Sequence, residues 1–141
     1  MRYREIGPLA LAAKARAEAL GLEFHWYSPT PMCLFNPIAH ALGNKGCAAC
    51  DGLIHVAPDG RVLPCSSFRP EESVGDLLRD GFEAVWFGEK AQFFKTKRQA
   101  PSGCRSCDRF ALCQGACPLY WREMGCEELE HAAMRMEAAE S

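Results

Sequence analysis

Between Pro8 and Leu20 the apolar residues Leu9, Ala12, Ala13 and Leu20 fall on or near one face at helical spacing. Lys14, Arg16 and Glu18 fall outside it. Pro8 suits a first turn and Gly21 the position after the end, so the pattern predicts a helix over Pro8–Leu20. Leu22–Tyr27, rich in aromatics and stopped by Ser28-Pro29-Thr30-Pro31, predicts a short strand. A helix, a glycine turn and a strand make half of a repeating α/β unit, which is too little to bury a core alone. Residues 1–32 therefore read as the tail of a larger α/β domain.

From Cys33 onward the pattern changes. Gly43, Gly46 and Gly52 punctuate an irregular loop that carries Cys47 and Cys50. Leu53–Ala57 and Arg61–Leu63 flank Pro58-Asp59-Gly60, a hairpin signal because Gly60 accepts a positive φ in the turn. Ile54, Val56 and Val62 are the packing candidates. Two helices are predicted next, around Val74–Arg79 and over Phe82–Lys97 with a break at Gly88. Val85, Trp86, Phe93 and Phe94 make the apolar face of the second. Residues 104–126 hold only short turns, and Glu127–Glu140 predicts a terminal helix. The expected class is small α+β: cysteine-rich loops, a β-hairpin and short helices, preceded by an α/β remnant.

Composition narrows the function classes. The chain has 141 residues, 48% of them hydrophobic and 24% charged, enough for one globular domain or one domain plus a fragment. A net charge of −2 makes no electrostatic case for nucleic acid or an anionic membrane. No apolar run approaches the roughly 20 residues a bilayer span needs. Ile6–Ala13 is apolar, but Glu5, Lys14, Arg16 and Glu18 flank it, which suits a helix face better than a secretory signal. The expected location is the cytoplasm.

The nine cysteines change the picture most. An odd count with no secretory signal argues against a complete disulfide framework, and clustered thiols in a reducing compartment are commonly metal ligands. Four of them form the run Cys104-x2-Cys107-x5-Cys113-x3-Cys117, followed by Cys126; upstream stands Cys50-x9-Gly60-x4-Cys65. A cage of four irons and four sulfides takes one thiolate per iron, which loops at short spacings can supply. Cys104-x2-Cys107 alone serves zinc equally well.

Cys113-Gln114-Gly115-Ala116-Cys117-Pro118 is more specific. Two-cluster bacterial ferredoxins end a run in Cys-x3-Cys-Pro, and its last cysteine ligates the other cluster. By the same reasoning Cys104, Cys107 and Cys113 hold one cluster, with Cys126 as its fourth ligand. Cys117 joins a second cluster with Cys47, Cys50 and Cys65. Eight thiolates then serve two cages. Cys33 is left over and reads as a buried small hydrophobe; its rival reading makes it, rather than Cys47, the eighth ligand.

These residues together resemble the SPASM domain, the auxiliary-cluster domain of radical S-adenosylmethionine enzymes, many of which modify peptides or proteins. Cys50, Gly60, Cys65, Cys104, Cys107, Cys113, Cys117 and Cys126 stand in the family's register, and Cys47 lies within its permitted window. The resemblance covers roughly residues 33–130 and implies a double-cluster domain at 33–141, with residues 1–32 as the last helix and strand of a catalytic barrel. It implies one cluster on Cys47, Cys50, Cys65 and Cys117 and another on Cys104, Cys107, Cys113 and Cys126. The partners it implies are a radical S-adenosylmethionine barrel in cis or in trans, a peptide or protein substrate, and a redox partner. The radical-generating Cys-x3-Cys-x2-Cys spacing is absent from these residues, so they are not expected to cleave S-adenosylmethionine alone.

The other polar residues read as structural. His25, His40, His55 and His131 share no zinc-like spacing with a cysteine pair. Ser66 follows Cys65 where some SPASM enzymes carry a catalytic acid, so that role does not carry over. Glu71–Glu72 and Glu127–Glu128–Glu130 read as solvated charges, and Lys95, Lys97 and Arg98 as a small basic patch. Two alternatives stand beside the SPASM reading. One is a structural zinc module on the 47/50 and 104/107 pairs that binds another protein. The other is a stand-alone ferredoxin-like electron carrier.

Overall fold

The computed structural model describes residues 1–129, which form a small α+β protein. The chain divides into two compact units, Met1–Gly46 with Ala100–Ser141, and Cys47–Gln99. Among the described residues no helix is long and apolar enough to cross a membrane. The helix expected over Glu127–Glu140 lies mostly beyond the described residues, as does His131.

Unit Cys47–Gln99 is built on the predicted hairpin. Strand β1 (His55–Val56) pairs antiparallel with β2 (Arg61–Leu63), matching His55 with Leu63 and Val56 with Val62. Gly60 closes the turn at φ 89°, donating its N–H to the Ala57 carbonyl at 2.9 Å. A short third strand, β3 (Gly75–Asp76), pairs with the other edge of β2. Val62, on the central strand, is wholly buried. With Cys50, Val74, Val85 and Ala91 it forms the core, and Ile54, Leu77 and Phe94 pack against it.

The first helix expected in this unit is displaced. Residues around Val74–Asp76 pair with β2, and helix α2 (Leu77–Trp86) begins only where Asp76 caps it, accepting from Leu78 N–H at 2.9 Å and Arg79 N–H at 3.0 Å. Gly81, at φ 77°, breaks α2 internally, so Phe82–Trp86 forms a separate turn. Helix α3 (Glu89–Lys95) follows Gly88, where the break was expected. The basic patch does not form. Lys97 is buried, and the Lys95 ammonium sits 3.8 Å from the centre of the Trp86 ring while donating to the Trp86 carbonyl.

In the other unit, helix α1 (Tyr3–Ala19) starts five residues before Pro8 and buries Tyr3, Gly7 and Ala10. Phe35 packs on Gly7 so closely that a Cβ there would lie 2.6 Å from its ring. The strand expected at Leu22–Tyr27 is absent; the segment joins no ladder. Its residues are held by side chains instead. Trp26 Nε1–H donates to Thr30 Oγ1 at 2.8 Å, and the Tyr3 hydroxyl to the Pro29 carbonyl at 2.6 Å. Glu128, expected in solvent, is only 1% exposed, with the Arg4 guanidinium 3.1 Å away and the Tyr120 hydroxyl donating to it.

Candidate metal centre

The run at 104–126 is more helical than expected. Short helices α4 (Ser102–Arg105), α5 (Phe110–Cys113) and α6 (Pro118–Met124) are joined by tight turns. Cys104 lies on α4, and Cys107 donates its N–H back to the Cys104 carbonyl at 3.1 Å, closing the knuckle. Cys113 ends α5 with its Sγ 3.8 Å from the Thr30 carbonyl.

Beyond it, Gln114, Gly115 and Ala116 all take positive φ (55°, 74° and 62°). Three left-handed residues in succession reverse the chain. Cys117 emerges from that reversal as the cap of α6, with Pro118 in the first turn, where the missing N–H costs nothing. The three-residue gap therefore turns the chain sharply between Cys113 and Cys117. The Cys117 and Cys113 thiols also lie close enough to the Tyr3 phenol to raise its pKa, after burial, the larger cause.

Three thiols of the run share one cavity. Cys104, Cys107 and Cys113 line it together with a fourth, Cys33. Met32 and Phe110 give it apolar walls, and Arg109 stands at its rim. Burial is the main cause that pushes the Cys104 thiol up to about 12, followed by the charges of Cys33, Cys113, Cys107 and Cys126. Cys33, although exposed, is pushed up to about 11, first by partial desolvation; Cys113 and Cys107 raise it further and Arg109 opposes them. The Cys104 and Cys33 thiols therefore resist ionisation until a cation joins them, and a metal is a cation that displaces such protons.

Cys33 is the residue that sequence reading misplaced. It is exposed rather than a buried hydrophobe, and it faces thiols some seventy positions away (about 71 to 80). Nothing in the spacing could have signalled this, because the separation is closed by the fold alone. Cys126 is exposed and does not line the cavity, although its charge reaches Cys104.

Unit Cys47–Gln99 holds a second group of thiols. Cys50 is wholly buried and takes φ 52°, donating its N–H to the Leu53 carbonyl at 2.8 Å. Cys47 is also buried, and Cys65 follows β2 half-buried. The Cys50 thiol is pushed up to about 11, first by burial; Cys47 and Cys65 add to the rise, while Lys95 and Lys97 oppose it. Lys97 anchors this loop. Its ammonium donates to the Cys47 carbonyl and to Asp51 Oδ2, each at 2.7 Å.

Among the described residues no disulfide joins any of the nine cysteines. Nor do any three His, Cys, Asp or Glu side chains among them converge at single-ion distance. All-sulfur donor groups of this kind suit iron–sulfur clusters, which use cysteine thiolates. Ser66 and Ser67 are exposed beside Cys65.

No curated protein and no solved structure matches the chain. One family does: residues 47–108 match the model of the SPASM family, an iron–sulfur cluster-binding domain. The match begins at Cys47 and runs through Cys50, Gly60 and Cys65 to the Cys104–Cys107 knuckle. Over residues 47–108 the chain is therefore similar to the SPASM iron–sulfur cluster-binding domain.

Proposed function

We propose that the chain holds two four-iron, four-sulfide clusters and serves as the auxiliary domain of a radical S-adenosylmethionine enzyme that modifies a peptide or protein. The observation that carries this reading is the clustering of thiols in two groups. Cys104, Cys107 and Cys113 share one cavity, and in the other unit Cys47 and Cys65 both lie near enough to Cys50 to raise its pKa. In this reading Cys126 completes the first set and Cys117 the second, as the SPASM pattern has them. Iron–sulfur clusters pass single electrons at potentials set by their surroundings.

The chain's own residues would tune that chemistry. Lys95 and Lys97 lower the cost of thiolate charge at Cys50, and Arg109 does the same at Cys33. Met32 and Phe110 keep the first site apolar, which favours fewer net charges on what it holds. The enzyme's barrel would act in cis or in trans, with a peptide or protein as substrate and a redox partner in the cytoplasm.

Anaerobic reconstitution tests the reading. It should yield brown protein with about eight irons and about eight acid-labile sulfides per chain, the content of two four-iron cages. One zinc and no labile sulfide would overturn it.

A further inference from the structure

The SPASM pattern has no use for Cys33, yet the fold brings it to the cavity shared by Cys104, Cys107 and Cys113. The cavity thus holds four thiols, as many as four irons need, and Cys126 stands outside it as a fifth. Cys33 and Cys126 differ in setting. Cys33 lines the cavity directly, between the buried Met32 and the half-buried Leu34. Its backbone is fixed by the turn in which Leu34 and Phe35 donate to the Pro31 carbonyl at 3.0 and 3.1 Å. Cys126 lies outside the cavity, two residues past the end of α6.

We propose that Cys33 is an iron ligand of the centre built on Cys104, Cys107 and Cys113, able to hold the iron that Cys126 would otherwise take. The inference rests on the cluster reading above and deepens it by naming a ligand that the cysteine pattern omits. A rigid turn carries Cys33 into the cavity, and Cys126 follows the C-terminal end of a short helix. A centre with five thiols can keep all four irons ligated when Cys126 is drawn away. It can equally release Cys33 as a thiol beside the centre.

Four full-length chains decide the matter: wild type, Cys33→Ser, Cys126→Ser and the double variant. Each is reconstituted anaerobically, and iron and labile sulfide are counted. Cys126→Ser should keep about eight irons, and the double variant should fall to about four, the content of one cage. Loss of iron in Cys33→Ser alone would also assign the ligand. Cys126→Ser falling to about four irons with Cys33 intact would overturn the proposal, as would a double variant that keeps all its iron.

A wild type with no iron or sulfide would end the cluster reading without deciding Cys33. The same chains titrated with cobalt(II) then decide it. A sulfur-to-cobalt absorption about a quarter weaker in the double variant than in Cys126→Ser supports a site that Cys33 completes. Equal bands in those two variants overturn it.

Discussion

The Trp121 indole donates its Nε1–H to the Gly115 carbonyl at 2.6 Å, in a buried setting. Trp121 stands on α6 just after Cys117, and Gly115 stands within the reversal just before it. The bond thus clamps the two sides of Cys117. Gly115 also has no room for a side chain: at φ 74°, a Cβ there would lie 2.5 Å from the Cβ of buried Ala100. Gly115→Ala should cost about 3 kcal/mol, combining left-handed strain with a contact that cannot relax. Denaturant unfolding measures it; a loss below about 1 kcal/mol would show that the reversal is not tightly held.

Lys97 should be indispensable to the Cys47–Asp51 loop. Its ammonium is almost wholly buried and bridges the Cys47 carbonyl to Asp51. Lys97→Met keeps the stem's packing but removes the buried charge-assisted bonds to that carbonyl and to Asp51, costing about 2 kcal/mol. Hydrogen exchange should quicken at Asp51 and Leu53, whose N–H groups bond to the Ala48 carbonyl in this loop. Unchanged exchange there would contradict the anchoring role.

Glu128 makes stability depend on acid pH. Burial alone would raise its pKa, but the Tyr120 hydroxyl and the Arg4 guanidinium outweigh burial and hold it below its ordinary 4.5. Its contribution is then fully present above pH 4.5 and lost as pH falls through the lower folded value. Glu128→Gln should cost about 1 kcal/mol at pH 7, a modest figure because Arg4 is half exposed. The gap between the two proteins should narrow below pH 4.5. A gap that stays constant to pH 3 or so would exclude the titration of Glu128 as its source.

Metal removal should loosen the two units unevenly. Helix α3 is held by Ala91 and Phe94 in an apolar core, whereas α4 and α5 are four residues each and bury none of their own side chains. Such short helices need an outside constraint, which bound metal supplies. After chelation, hydrogen exchange should accelerate over 104–117 and stay slow over 89–95. Equal protection with and without metal would show that the thiol run folds unaided.

Local chemistry made some of the fold readable from the residues alone. Pro58-Asp59-Gly60 specifies its hairpin because the turn itself requires those conformers. Gly88 separates two helices for a similar reason, and the short cysteine spacings mark the knuckle at 104–107. The strand expected at Leu22–Tyr27 fails because aromatic content creates only a tendency to extend. A strand also needs a neighbouring ladder, which no local pattern supplies. Val74 failed in the opposite direction: its segment joins the ladder of β2 before α2 can begin.

Ligand type was therefore a sequence property: the thiols stand at spacings that match the SPASM iron–sulfur family over residues 47–108. The tertiary structure decided the fates of individual side chains. It buried Lys97 and Glu128, which look like surface charges, because each meets an opposite charge and a polar partner brought from elsewhere in its own unit. It also carried Cys33 to three thiols far along the chain. Proximity of that kind comes from packing α1, the Pro31 turn and the 100–129 segment into one unit, and no spacing rule encodes it.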